Sequence, residues 1–192
     1  VLAFIEVNFA AGYANISKVI HNESYRVDLL ETLGLQNITL SENEIAEMFI
    51  ADLLTEIPAT KLLSAVNNSS DKAIISEKAV NEPIAEINAA ISAAKSVNSK
   101  DANANLTAGM VLMNSTKTAL KQVRDIVGVT STKYQMVADN LAKQILQCGI
   151  NYYNNASDDD VESPRKAMPL QAYALQIAIG QLTKDRLSLI HI

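Results

Sequence analysis

The sequence predicts an all-α protein, a multi-helix bundle or irregular helical array of about seven to nine helices. Apolar residues make up 48% of the 192-residue chain and charged residues only 19%, which indicates a packed interior rather than a disordered chain. Six glycines and four prolines are few for this length, which favours long helices over a turn-rich β fold. Apolar residues also recur at spacings of three and four, and no strand-like alternation persists.

The first two predicted helices lie within residues 2–33. The first covers 2–20, and its apolar face carries Leu2, Ile5, Phe9, Tyr13, Ile16 and Val19. The second covers about 23–33, because Asn22 is suited to cap it and Gly34 to end it.

A capping box predicts where the third helix begins. Ser41 is followed three residues later by Glu44, so that each side chain can bond the backbone N–H of the other residue. Pro58 ends this helix, since proline has no N–H to continue it. A short helix near 60–66 and the polar break NNSSD at 67–71 follow.

The next predicted helix begins at Asn81 and Pro83, after a short piece near 72–80. Its apolar stripe consists of Ile84, Ile87, Ile91, Ala94 and Val97, and its many alanines permit close approach of a second helix. The polar linker NSKDANAN at 98–105 then marks the best candidate for a subdomain break.

Three helices are predicted after this linker. The first runs from Leu106 to Val127 and is stopped by Gly128. The second follows a cap at Thr130 or Ser131 and carries Tyr134, Val137, Leu141, Ile145, Cys148 and Tyr152 on its apolar face. The last opens at Ser163-Pro164 and carries Leu175, Ala178, Ile179 and Leu182.

Residues 131–186 contain two helical stretches, LAKQILQCGINYYNN and AMPLQAYALQIAIG. Together they loosely resemble a tetratricopeptide-type helical hairpin. The small and aromatic residues of the second stretch do not fall at that family's usual offsets, and the loop between the stretches is longer. The resemblance covers under a third of the chain and implies at most a helical-repeat character.

Charge and cysteine content exclude several classes of protein. Residues 1–100 carry 7 Lys/Arg against 13 Asp/Glu, so nucleic-acid binding has little electrostatic support. No apolar run approaches the roughly 20 residues that span a bilayer. The single cysteine excludes an intrachain disulfide and fits a cytoplasmic location.

Several apparent sites have simpler interpretations. Cys148 lies on an apolar stripe, which predicts a buried structural thiol rather than a nucleophile. The acidic run DDDVE at 158–162 lacks the ligand spacing of an EF-hand calcium loop. Eight Asn-x-Ser/Thr sequons are explained by a composition rich in those residues. We therefore expect no catalytic residue, no cofactor and no metal.

The run NYYNN at 151–155 is the most distinctive local feature. Tyr152 and Tyr153 stand at a predicted helix end, and Arg165 follows beyond the acidic loop, so the three residues are candidates for a ligand or partner contact. In the alternative, Tyr152 packs inward, Tyr153 covers the loop and the asparagines cap the helix end.

The final six residues, LSLIHI (187–192), resemble a sequencing-library adaptor read in frame, because CTG-TCT-CTT-ATA-CAC-ATC encodes them in order. In the alternative, Leu189 and Ile190 extend the apolar stripe of the last helix. We predict a native helical domain over 1–186 and a non-native tail. Because no methionine begins the chain, we expect it to be a fragment of a longer, metagenomic protein.

The leading functional hypothesis is a non-enzymatic helical scaffold or regulatory segment that binds a protein partner. The alternative is an extracytoplasmic helical bundle that senses a ligand, and an enzyme ranks third. A cleft that encloses Tyr152, Tyr153 and Arg165 favours ligand sensing. An exposed apolar groove favours partner binding.

Overall fold

The computed structural model describes residues 12–13, 15–18, 20–32, 34, 40–157, 159 and 161–188. All regular secondary structure in these residues is α-helical, which confirms the predicted all-α class. Helix α1 is helical at 12–13, 15–18 and 20, and it is followed by α2 (Glu23–Thr32), α3 (Glu42–Glu56), α4 (Ala59–Ala65), α5 (Ser69–Lys95), α6 (Ala102–Ser115), α7 (Lys117–Val127), α8 (Thr132–Asn155), α9 (Ser163–Ile177) and α10 (Gln181–Ser188).

The chain divides into two compact units, residues 1–79 and 80–192, and the division falls inside α5. Each unit has its own cluster of buried apolar side chains. The segment 98–105 lies within the second unit, where it contains the turn after α5 and the first residues of α6. The subdomain break at 98–105 stays a prediction.

The core of the first unit combines side chains from α1, α3, α4 and α5. Its buried members are Tyr13, Ile20, Ile45, Ala46, Ile50, Leu62, Val66 and Ile75. Tyr13 belongs to the apolar face predicted for the first helix, and Ile16 of that face packs against the core. The other members of that face, Leu2, Ile5, Phe9 and Val19, lie outside the described residues.

Helix α3 begins at the predicted capping box. The Ser41 hydroxyl accepts a bond from the Glu44 N–H at 3.3 Å, and a Glu44 carboxylate oxygen accepts one from the Ser41 N–H at 2.8 Å. The bonds from Ser41 hold the pKa of Glu44 below its usual value. Two N–H groups at this end of the helix are thus satisfied by the sequence itself.

Helix α8 is the centre of the second unit. Its buried residues are Tyr134, Val137, Ala138, Leu141, Ala142, Ile145, Leu146, Cys148, Gly149 and Tyr152, and it packs mainly against α6 and α9. An added Cβ at Gly109 of α6 would lie 2.7 Å from Cδ1 of Leu170 and 2.9 Å from Cβ of Cys148. The absence of a side chain at Gly109 therefore allows α6 to pack closely in this core.

Helix α5 corrects one prediction, because it begins at Ser69 and continues through Pro83. Proline has no N–H, so the carbonyl of Ala79 cannot receive the usual bond from four residues later. An interior proline costs about 3 kcal/mol, yet buried side chains on both sides of it keep the helix continuous. The start signal at Asn81 and Pro83 was therefore outweighed by tertiary packing.

The single helix predicted from Leu106 to Val127 is divided in two at Thr116. The Thr116 hydroxyl is buried and donates to the carbonyl of Leu112 at 2.7 Å. Such a bond competes with the regular helical pattern and commonly bends a helix. Helix α7 then ends at Gly128 as predicted, where a φ of 79° suits glycine.

Helix α9 begins at Ser163-Pro164 as predicted but ends at Ile177. The side chain of Asp139 in α8 accepts bonds from the N–H groups of Ile179 at 2.8 Å and of Gly180 at 3.1 Å. It thereby satisfies N–H groups just before α10. Helix α10 continues to Ser188, whereas Leu189 and Ile190, on which the interpretation of the tail depends, lie outside the described residues.

Candidate functional site

The three residues predicted as a contact site have different environments. Tyr152 belongs to the buried face of α8 and is 2% exposed, whereas Tyr153 is 43% exposed. Arg165, in the first turn of α9, is largely exposed and donates to a carboxylate oxygen of Glu162 at 3.5 Å. The inward packing of Tyr152 is confirmed, and a ligand or partner contact through these residues stays a prediction.

An open groove of about 550 Å³ lies between α5 and α6 in the second unit. It is lined by Ala90, Ala93, Ala94, Val97, Asp101, Asn103, Ala104, Thr107, Ala108, Val111, Leu112 and Ser115. We call it the α5–α6 groove. Neither this groove nor the neighbouring hollow described below includes Tyr152, Tyr153 or Arg165.

Small side chains produce the groove, since five of its lining residues are alanines. Their short side chains leave space between the two helices that a side chain from another molecule can fill, with gain of dispersion contacts. Polar groups lie mainly near the ends, and the Asp101 carboxylate already accepts a bond from the Ala104 N–H at 2.9 Å. The groove is therefore suited to apolar contacts.

A second hollow of about 540 Å³ shares Thr107, Val111 and Ser115 with the groove and adds Leu106, Met110 and Asn114. Val111 lines both spaces, yet it is 60% exposed. Val111 is therefore an exposed apolar side chain that borders both hollows.

A buried amide network fixes the first turn of α6 against α8. Asn105 is 2% exposed, and its amide nitrogen donates to the carbonyls of Asn98 and Asp101, each at 2.7 Å. Its amide oxygen accepts a bond from the side chain of Asn151 at 3.0 Å. The network thereby fixes the position of α6, which forms one wall of the α5–α6 groove.

Replacing Asn105 by alanine is expected to lower the free energy of unfolding by about 1–2 kcal/mol, because its hydrogen-bond partners lose a buried amide. Urea unfolding followed by far-UV circular dichroism measures this loss. Asn103→Ala is the matched control, since Asn103 is an exposed asparagine in the same helix. Equal effects of the two substitutions would contradict a structural role for the Asn105 amide.

The first unit contains a second polar arrangement, around His21. Asp71 is 0% exposed and accepts bonds from the hydroxyls of Tyr13 at 2.6 Å and Ser17 at 3.2 Å. Nε2 of His21 lies 2.9 Å from the other oxygen of Asp71, and Nδ1 contacts a carboxylate oxygen of Glu42. We call these five residues the His21 cluster.

The His21 cluster has no arrangement for nucleophilic catalysis. Ser17 bonds to Asp71, and both ring nitrogens of His21 bond to carboxylates, so the ring is not positioned to take a proton from Ser17. Burial together with Asp71 raises the pKa of Tyr13 far above its usual value, so its hydroxyl stays protonated. The cluster is a hydrogen-bond network within the first unit.

Cys148 and the acidic loop are the remaining candidates from the sequence. Cys148 is 1% exposed, as predicted for a structural thiol, and burial raises its pKa. Asp159 of the acidic loop is exposed, and its neighbours at 158 and 160 lie outside the described residues. Within the part of the chain that the structure describes, no group of three or more His, Cys, Asp or Glu side chains is arranged to hold a metal ion.

No protein family, curated protein or solved structure gives a significant match to this chain. The resemblance of residues 131–186 to a tetratricopeptide-type hairpin therefore rests on the sequence pattern. None of the helices in the described ranges is long and apolar enough to span a bilayer.

Proposed function

We propose that the second unit is a non-enzymatic protein-interaction module, which binds an amphipathic helix of a partner protein in the α5–α6 groove. The observation that supports this proposal is the groove itself, an open and largely apolar space beside the exposed side chain of Val111. Helix-in-groove recognition places apolar side chains of one helix, spaced three and four residues apart, into such a surface.

The shape and lining of the groove favour a helix over a small molecule. Small-molecule sites enclose most of the ligand and place several polar groups around it to fix its orientation. Here five of the twelve lining residues are alanines, and the space is open. Short apolar anchors such as alanine, valine or leucine on the partner helix fit a lining of this kind.

Charge and cysteine content support the same proposal. Residues 80–192 carry 11 Lys/Arg against 10 Asp/Glu, so the second unit has no surplus of basic residues that would attract nucleic acid. We place the module in the cytoplasm, because its single cysteine is a free thiol. A ligand-sensing role outside the cytoplasm is the competing hypothesis.

Site-specific photo-crosslinking tests the proposal. A benzophenone amino acid at position 111, in the full chain, is expected to crosslink to a helical segment of a partner protein. The same group at Met136 of α8 is the control, because Met136 is 62% exposed and does not line the groove. Equal crosslinking from both positions would contradict binding in the groove.

A substitution that fills the groove gives an independent measurement. Ala93→Trp is expected to weaken crosslinking from position 111 about tenfold or more, since a steric cost of about 1.4 kcal/mol lowers affinity tenfold. Ala85→Trp is the matched control, because Ala85 is an exposed alanine of the same helix that does not line the groove. A protein adduct that persists in Ala93→Trp counts against the proposal. A small apolar compound that raises the melting temperature of the parent chain but not of Ala93→Trp, with no protein adduct, would favour ligand sensing.

A further inference from the structure

His21 stands in the turn between α1 and α2, and each of its ring nitrogens contacts a carboxylate from a different helix. Nδ1 contacts Glu42, the first residue of α3, and Nε2 contacts Asp71, the third residue of α5. A neutral imidazole has one N–H donor and one lone pair. Two ionised carboxylates need two N–H donors, so these contacts favour the doubly protonated imidazolium ring.

We propose that His21 is a proton-dependent latch, whose bound proton ties the turn after α1 to the beginning of α3 and is lost as the pH rises. Loss of this proton leaves a ring lone pair facing one of the two carboxylates. That contact is then repulsive, and the ring and the carboxylate separate.

The exposure of the two carboxylates decides which contact opens. The Asp71 side chain is 0% exposed and has no access to solvent, so the neutral ring keeps its N–H on this residue. The Glu42 side chain is 44% exposed, and water stabilises its charge once it moves away. Deprotonation therefore opens the contact between His21 and Glu42, whereas the contact with Asp71 of α5 remains.

The other groups around the ring do not compete for the same proton. Nη1 of Arg26 lies 3.4 Å from the second carboxylate oxygen of Glu42 and also donates to the carbonyl of Ile20 at 2.8 Å. Arginine stays charged at all relevant pH values. Tyr13 keeps its hydroxyl proton and its bond to Asp71. Histidine is the side chain whose charge ordinarily changes near neutral pH.

The direction of the pH effect follows from the contacts of His21. Burial lowers its pKa, but the hydrogen bonds and charges of Glu42 and Asp71 outweigh burial and raise the pKa above its ordinary value. A raised pKa in the folded state means that the latch stabilises the fold fully below the ordinary value of about 6.5. The stabilisation is lost as the pH rises through the folded-state pKa.

An NMR titration of the full chain tests the latch. His21 is expected to titrate above the ordinary value, and His191→Gln assigns its signal because the chain has only two histidines. Hydrogen-exchange protection of the Glu44 and Ile45 amides, corrected for the intrinsic rate, is expected to fall with pH. The fall is about tenfold for each pH unit by which the contact with Glu42 raises the pKa of His21.

Two substitutions separate the latch from a merely structural contact. His21→Gln is expected to remove the pH dependence of protection at α3, because glutamine does not titrate. Glu42→Gln is expected to lower the pKa of His21. This second measurement tests the latch even where the His21→Gln chain does not fold. A His21 pKa at or below the ordinary value, or the same pH dependence in His21→Gln as in the parent chain, would overturn the proposal.

Discussion

Replacing Gly109 by valine is expected to destabilise the second unit by about 3 kcal/mol, the upper part of the usual cost of overpacking a core. The new Cβ would meet Cδ1 of Leu170 at 2.7 Å and Cβ of Cys148 at 2.9 Å. The Leu170 side chain can rotate away. The Cβ of Cys148 is fixed to the backbone of α8, so α6 itself must move. Urea unfolding followed by circular dichroism measures the loss.

Gly12→Val is the matched control, because Gly12 is an exposed glycine of α1 and no described residue has an atom within 4 Å of an added Cβ. It is expected to leave the free energy of unfolding unchanged within about 0.5 kcal/mol. Gly109→Ala should fall between the two, since the gain of about 1 kcal/mol in helix propensity offsets part of the clash. A Gly109→Val chain as stable as its parent would contradict the close packing at this point.

Replacing Asp71 by alanine is expected to cost about 3–5 kcal/mol, the range seen when one partner of a buried ion pair is removed. The substitution removes the acceptor for the hydroxyls of Tyr13 and Ser17 and for Nε2 of His21. These donors come from α1 and the turn that follows it. Thermal and urea unfolding are expected to show an early loss of the first unit.

Asp52→Ala provides the control, because Asp52 is an exposed aspartate of α3 and its removal should change stability by less than about 0.5 kcal/mol. Asp71→Asn keeps an acceptor of nearly the same shape but removes the charge. It is expected to cost less than alanine and to lower the pKa of His21. A loss of under about 1 kcal/mol in Asp71→Ala would show that the carboxylate is not required by its neighbours.

Local signals predicted the fold class and several helix ends. The capping box at Ser41, the stop at Gly128 and the start at Ser163-Pro164 each depend on residues close together in the chain. The break at Thr116 was not predicted, since no glycine or proline marks it. It depends on whether a threonine hydroxyl turns back to the carbonyl of Leu112, which a sequence pattern does not reveal.

The two polar networks were beyond sequence reasoning for a different reason. Asp71 is 50 residues from His21 and 58 from Tyr13 along the chain. In the sequence it falls in the predicted polar break NNSSD at 67–71, whereas it lies in the first turn of α5. Asn105 likewise falls in the predicted linker at 98–105, and its hydrogen-bond partner Asn151 is 46 residues away along the chain.

The alanine-rich lining of the α5–α6 groove could be predicted from the sequence, but its position between α5 and α6 could not. Alanines on the helix after Pro83 indicated that another helix can approach closely. Whether small side chains produce a tight contact or an open space depends on how far apart the two helices lie. That distance is set by the whole core.

Pro83 has one effect on α5 in the full chain and would have another in a segment that contained only the second unit. In α5 it lies four residues after Ala79, whose carbonyl it leaves without a helical partner, and Ala79 is also the last residue of the first unit. In a segment that started at Val80, the same proline would stand in the first turn of a helix, where no N–H is needed. The second unit thus contains its own helix-start signal. A gene rearrangement at this point would produce a segment whose first helix begins with a suitable residue.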